Sequence, residues 1–374
     1  MNSNSFFSAL ENQYNKKLPF VVYSRPINSI VKSWLQTDNE LHTTDNFEES
    51  GFVFAPFDST VKSIILPVKY CAYNILEVGK DEEYIFNSKL NDGDAIKSDK
   101  QKHLELLNKG ITEINLGNLD KVVLSRYEEH QIGDLNPIDI FKRLYSSYKN
   151  AMVYCWYHPK IGLWLGATPE LLFKVVGKQL TTISLAGTQP YNSKSETNWT
   201  AKELEEQQIV TDYIIDKIKP YTSKLKVSDI ETVRAGNLLH LKTRIVSRIN
   251  DDTELNTIIE ALHPTPAVCG FPKEPSKSFI INNENYERTY YTGFLGELNL
   301  KQTKTRNSNR RNVENNAYSS IKSISNFYVN LRCMQIKNDK AFIYVGGGIT
   351  KDSNPENEWE ETVNKTKTIV NVLK

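Results

Sequence analysis

From Lys121 onward the chain is a succession of short, apolar, strand-like segments, and they never alternate with helices as regular βαβ units. Residues 121–125, 151–156, 171–176 and 327–335 have this character, and in the first third so do 19–23, 51–54 and 64–68. Helical periodicity is confined to a few places. Residues 98–117 repeat apolar side chains at Leu104, Leu106, Leu107, Ile111 and Ile114, and residues 137–148 form a shorter candidate. Two long helices are predicted at roughly 200–219 and 354–373. This order fits an α+β fold with extensive antiparallel sheet better than a doubly wound parallel one. Neither a long-range repeat nor a Pro/Gly/Ser linker divides the 374 residues. No boundary between two autonomous domains is therefore expected.

Charge narrows the partners. Lys and Arg number 46 against 45 Asp and Glu, so no global field draws the chain to nucleic acid or to an anionic membrane. No apolar run is long enough to span a bilayer, and the polar start, Met1 to Ser5, is unlike a secretory signal. The expected location is the cytoplasm. Cys71, Cys155, Cys269 and Cys333 are dispersed, with no metal-ligand spacing, and read as small apolar residues of a reducing compartment. The stretch 301–323, rich in Lys, Arg, Asn and Ser, reads as a solvated loop, with a basic docking site for nucleic acid or a partner as the alternative.

The two long helices carry the carboxylates of interest. Thr200 and Glu203 have capping-box spacing, and Pro220 ends that helix. Leu204, Thr211, Ile215 and Ile218 form one apolar stripe, with Glu206, Val210 and Tyr213 on a neighbouring one. The second helix opens Ser353-Asn354-Pro355-Glu356, a capping sequence with proline in the first turn, and aligns Glu358, Glu361 and Lys365 on one face. Taken singly, both acidic faces are ordinary solvated surfaces. Together, with no His or Cys nearby, they are the donors a hard cation such as Mg²⁺ prefers. Spacing does not show that the helices converge.

Ten segments, in order, resemble the chorismate-utilising family, which includes isochorismate, salicylate, anthranilate and aminodeoxychorismate synthases. Among them are Lys121-Val-Val-Leu-Ser-Arg126, Gly166-Ala-Thr-Pro-Glu-Leu-Leu172, Leu185-Ala-Gly-Thr188, Lys202 to Val210, His240-Leu-Lys-Thr243, Gly346-Gly-Gly-Ile349 and Glu358-Trp-Glu-Glu-Thr362. They fall in a motif-bearing region, 115–374, and leave the N-terminal part, 1–114, without a motif. The resemblance implies a single intertwined α+β domain over 1–374, with large antiparallel sheets forming a core flanked by helices, a chorismate substrate and Mg²⁺ between protein carboxylates and the substrate's ring carboxylate. It makes Glu206 and Glu361 direct metal ligands, with Glu203 and Glu358 holding the metal's waters. It sets Gly187, Thr188, His240, Tyr291, Arg332, Gly346 and Lys365 around the substrate.

Three features bear on the branch. Lys121 matches the lysine that resembles the general base of the water-using enzymes, and Glu170 the general acid. Such a lysine must lose its proton far below its usual pKa of about 10.4. Pro264 to Gly270 resembles the isochorismate and salicylate motif. Ala186 stands where aminodeoxychorismate synthases place a nucleophilic lysine. The resemblance thus implies a monomeric isochorismate synthase with no amidotransferase subunit, in menaquinone or siderophore synthesis. Salicylate synthase is the alternative, and a non-catalytic chorismate-binding protein a further one. Gln207 departs from the family's frequent Glu-His pair and cannot carry charge.

Overall fold

The computed structural model describes residues 1–79, 100–133, 135–191, 198–235, 238–304 and 320–373. Among these residues nineteen strands form two sheets. The nine-stranded sheet runs Gly270–Phe271, Lys121–Gln131, Lys340–Ile349, Cys333–Lys337, Gly162–Thr168, Met152–His158, Phe20–Ser24, Ile30–Gln36, Cys71–Glu77. The ten-stranded sheet runs Thr222–Val227, Leu238–Ile249, Gln179–Pro190, Leu171–Val176, Ser320–Val329, Phe294–Lys304, Gly51–Ala55, Ser63–Pro67, Thr43–Thr44. Glu231–Ala235 pairs with Leu238–Ile249 off that path. Pairing is antiparallel throughout, as the sequence pattern predicts.

The apolar runs are continuous rather than alternating because their strands are covered on both faces. In Phe20–Ser24, Val21 and Tyr23 point between the sheets, while Phe20 and Val22 join the core on the outer side. Gly51–Ala55 does the same in the other sheet, with Phe52 and Phe54 inward and Val53 and Ala55 outward. The layer between the sheets is largely aromatic: the Phe54 ring lies 4.5 Å from Trp156 and 4.4 Å from Tyr290. Each such fully buried ring is worth roughly 1.5–3 kcal/mol.

Helices cover the outside. Ser3–Asn15, Pro137–Ser147 and Pro355–Val370 pack on the nine-stranded sheet through Phe6, Phe141 and Ile369. Ala201–Ile218 and Leu255–Leu262 pack on the ten-stranded sheet through Val210 and Ile258. Lys100–Asn115 and Lys273–Asn283 bury Leu107 and Ile280 against Val122 and Leu124. No helix among the described residues is long and apolar enough to cross a membrane. The four cysteines are free, and all but Cys71 are buried. The N-terminal part is knitted into both sheets, through Phe20–Ser24 beside Met152–His158 and Gly51–Ala55 beside Phe294–Lys304.

Several expectations need correction. Residues 327–335 are not one strand: Ser320–Val329 ends in one sheet, Cys333–Lys337 begins in the other, and Asn330 to Arg332 cross between them. Arg332 adopts φ +48°, a left-handed conformation that a non-glycine residue adopts at a cost in strain. Asn330 pins the crossing, donating to the Tyr290 carbonyl at 2.8 Å and accepting from the Tyr154 hydroxyl at 2.5 Å. Leu204 is exposed, and the buried face of its helix is the stripe through Val210, Tyr213, Ile214 and Ile218. Ser3–Asn15, Leu255–Leu262 and Lys273–Asn283 were not expected; the last has only one short apolar cluster and a proline within it. Of the predicted helix at 98–117, residues 98 and 99 lie outside the described residues, as do 305–319 of the basic stretch.

Candidate active site

The chain passes between the sheets at two adjacent places. Pro169 and Glu170 link Gly162–Thr168 to Leu171–Val176, and Asn330 to Arg332 make the return. Backbone hydrogen bonds stitch them together, from Ala167 N–H to the Arg332 carbonyl (3.0 Å) and from Val329 N–H to the Glu170 carbonyl (3.0 Å). A cavity opens at this seam, walled by both crossings, by Leu185 to Thr188 of one sheet and by Val345 to Gly348 of the other.

Eleven of the thirteen residues singled out from the sequence line this cavity: Glu170, Gly187, Thr188, Glu203, Glu206, His240, Tyr291, Arg332, Gly346, Glu361 and Lys365. Lys121 and Glu358 stand behind its wall. A methyl group at Gly348 would lie 2.9 Å from Lys121 Cε, and one at Gly347 would lie 3.6 Å from Glu358 Oε2. Lys121 is wholly buried, and its Nζ donates to Glu206 Oε1 at 2.9 Å.

The two helices converge because each rests its buried face on a different sheet and brings its acids to the seam, Glu203 and Glu206 from the first turns of one and Glu361 from the middle of the other. Glu203 performs its capping role, accepting from the Thr200 backbone N–H at 2.9 Å and from the Thr200 hydroxyl. Asn354 caps the other helix, accepting from Asn357 N–H at 3.1 Å. Glu358 accepts from the Ser353 hydroxyl at 2.7 Å. Glu361 pairs with Lys365 at 2.6 Å, and Lys365 also donates to the Gly346 carbonyl at 3.0 Å. This is not the solvated pair that spacing alone suggests, because the Lys365 side chain is largely covered.

Below Glu206, Gln207 is completely buried. Its amide donates to Thr243 (3.1 Å) and Ser184 (3.3 Å), and its carbonyl accepts from Thr211 (2.9 Å). The departure from Glu-His is therefore absorbed by a neutral network that needs no charge. Gly187 makes the bulge in its strand at φ +70°, and a side chain there would press on Glu203 Cβ at 3.1 Å.

Burial pushes the Glu170 carboxyl up to about 7, against the pull of Lys121 and Arg332. Burial, with Arg332 next, lowers His240 to about 4, so its ring is neutral. His240 Nδ1 lies 3.0 Å from the Gly187 carbonyl, which can only accept; Nδ1 therefore carries the hydrogen. Nε2 is left an acceptor with no partner among the described residues. Val268, Thr292, Tyr344, Val345 and Gly348 also wall the cavity and were not singled out. Val268 and Gly348 had a signal, the one within Pro264 to Gly270 and the other at the end of a glycine run whose first member was chosen.

A family model described as chorismate binding enzyme matches residues 68–304, well over half the chain, and a second of the same description matches 318–371. The chain belongs to the chorismate binding enzyme family. The match begins upstream of the first motif at Lys121. Among relatives of this family, the chain is 26% identical over 279 residues to the salicylate biosynthesis isochorismate synthase of Pseudomonas aeruginosa, covering 72% of this chain and 54% of that one. It is 29% identical over 273 residues to an isochorismate synthase of Escherichia coli, covering 70% and 57%. The chain thus matches little more than half the length of these relatives. The solved menaquinone-specific isochorismate synthase of Escherichia coli superposes with a TM-score of 0.74 at 20% identity, over 95% of this chain and 89% of that one. That likeness establishes the shared fold.

Proposed function

We propose that this chorismate-binding chain is an isochorismate synthase that uses Mg²⁺, with Lys121 as general base and Glu170 as general acid. One observation carries the reading most: a carboxyl held near pKa 7 by burial shares a cavity with Glu206, whose partner is a fully buried lysine. An acid that keeps its proton near neutral pH is what the departing hydroxyl requires, and Lys121 is proposed as the base on the family resemblance.

The step balances as follows. Water oxygen bonds to C2 of chorismate while its proton passes to Lys121 Nζ. Both ring double bonds move one position, and the C4–O bond breaks. The departing hydroxyl takes the Glu170 proton and leaves as water. Arg332 and Lys365 would hold the substrate's carboxylates, and neutral His240 would accept a hydroxyl hydrogen at Nε2.

The donor set fits Mg²⁺. Glu206 and Glu361 come from two helices to one cavity, while Glu203 and Glu358 hold local hydrogen bonds at or behind its wall. No group of three carboxylate, His or Cys side chains forms a ready-made cage among the described residues. That pattern suits an ion taking one or two protein carboxylates and completing its shell with water and an anionic substrate. When bound, the ion would neutralise the helix carboxylates and orient the substrate's ring carboxylate.

Purified protein with Mg²⁺ is expected to convert chorismate to isochorismate without ammonia or glutamine. Anthranilate or aminodeoxychorismate as sole product would overturn the reading; salicylate with pyruvate would move it to the sister reaction. Lys121→Ala is expected to abolish turnover while chorismate still binds, and full activity in that variant would remove Lys121 as base.

A further inference from the structure

A second cavity, of about 420 Å³, shares no wall residue with the first. Its volume falls in the range of small-molecule sites. Three buried apolar side chains from different elements make its floor: Phe47, Ile259 of Leu255–Leu262, and Phe294 at the start of Phe294–Lys304. The Phe47 and Phe294 ring centres lie 6.0 Å apart. Residues 59–63 run along one side, with Val61 exposed. Among the described residues that line it, Lys62 is the one cation, and Asp45 holds it at 2.7 Å. Glu260 accepts from the Asn256 side chain at 2.8 Å.

His263, which also lines this cavity, is only 4% exposed and meets Phe294 edge-on at 5.0 Å. Its Nε2 lies 3.1 Å from the Pro56 carbonyl, which can only accept, so Nε2 carries the hydrogen. Burial lowers its pKa to about 3 and keeps the ring neutral. Nδ1 is then an acceptor with no partner among the described residues. The main chain at this position is already engaged. His263 N–H donates to the Ile259 carbonyl at 2.7 Å, and the His263 carbonyl accepts from Lys273 Nζ at 2.7 Å. A bare buried acceptor is unfavourable, so a donor brought by a ligand gains more here than at a surface.

These walls select by chemistry. A carboxylate would find no available counter-charge and would face the Nδ1 lone pair. A flat apolar body with one O–H donor suits both the aromatic floor and the acceptor. We propose that this cavity is a second small-molecule site, which takes a neutral phenol: the ring lies on Phe47, Ile259 and Phe294, and the hydroxyl donates to His263 Nδ1. The site stands apart from whatever reaction the first cavity performs. Its occupant sits at the head of the segment whose Ala267 and Val268 wall that first cavity.

The test is a fluorine NMR titration of the full chain with para-fluorophenol and with para-fluoroanisole, which keeps the ring and lacks the donor. The phenol is expected to bind saturably, and the anisole roughly tenfold more weakly. His263→Gln sets an amide nitrogen in the place of Nε2, which preserves the hydrogen bond to Pro56, and removes the Nδ1 acceptor. In that variant the phenol should weaken to the affinity of the anisole, and the anisole should be unaffected. Equal binding of the two probes by the parent, or no binding of the phenol, would overturn the site. Undiminished phenol binding in His263→Gln would overturn it as well, by placing the probe elsewhere. Should that variant not fold, nitrogen NMR of the parent decides among its six histidines. The phenol, and not the anisole, should shift a bare Nδ1, the tautomer of His263, whereas a shift confined to a bare Nε2, the tautomer of His240, or no shift at all, refutes the assignment.

Discussion

Gly348 offers a substitution whose effects on activity and on stability should separate. A Cβ added there would lie 2.7 Å from Glu206 Oε1 and 2.9 Å from Lys121 Cε, where ordinary contacts begin at 3.4 Å. Both atoms must therefore retreat by roughly half an ångström or more, and both are far ends of flexible side chains. Their backbones need not follow, so Gly348→Ala should cost about 1 kcal/mol of stability or less, at the low end of overpacking. The displaced atoms are the Lys121–Glu206 pair itself. Since a misplacement of about 1 Å at a reacting centre costs on the order of 100-fold, kcat/KM should fall about 10- to 100-fold, or ~1.4–2.7 kcal/mol in activation free energy. The assay is conversion of chorismate with Mg²⁺, run beside urea denaturation of the same preparation. Gly346→Ala is the contrasting control. Its Cβ meets the Leu124 carbonyl oxygen at 2.8 Å, a backbone atom that cannot swing away, so stability should drop by about 1–3 kcal/mol. Full activity in Gly348→Ala at unchanged stability would show that the Lys121–Glu206 pair is not where reaction occurs.

The raised Glu170 pKa sets a pH dependence. The acid is protonated below about 7, so kcat/KM should decline above that point, and Glu170→Gln should lose both turnover and that limb. Stability moves in step. Because the folded pKa of about 7 exceeds the unfolded value, the protein loses stability as pH rises from about 4.5 through 7, by up to about 3 kcal/mol. Denaturation at pH 8 should therefore find Glu170→Gln more stable than the parent, and a less stable variant would contradict the assignment to burial. Glu361→Gln should raise the Mg²⁺ concentration required for half-maximal activity; an unchanged titration would remove Glu361 as a ligand. Gln207→Leu strips a buried network of its amide and should cost about 1–3 kcal/mol, so equal stability would show that its hydroxyls satisfy one another.

What was legible from residues alone was local. Proline at a first helical turn, a capping box and unbroken apolar runs are short-range signals, and they located Ala201–Ile218, Pro355–Val370 and most of the central strands. The meeting of those elements was not legible. The Lys121–Glu206 hydrogen bond joins residues 85 apart in sequence, and the helices carrying Glu206 and Glu361 lie on different sheets. Only family resemblance linked them beforehand. Periodicity also misjudged Leu204, because the face that packs is decided by the sheet beneath and not by the helix. The break at Asn330 to Arg332 was missed for a related reason. Leu331 and Cys333 continue an apolar run, and no glycine or proline marks the point where the backbone turns left-handed.

The paired crossings at Pro169–Glu170 and Asn330–Arg332 act as a rivet through two plates. The sheets cannot slide past one another without shearing the hydrogen bonds Ala167–Arg332 and Val329–Glu170, and those bonds border the cavity. A molecule seated there is gripped by both plates at once. Its binding energy therefore opposes separation of the sheets as a whole, and ligand should raise the melting temperature of the whole fold in one cooperative step.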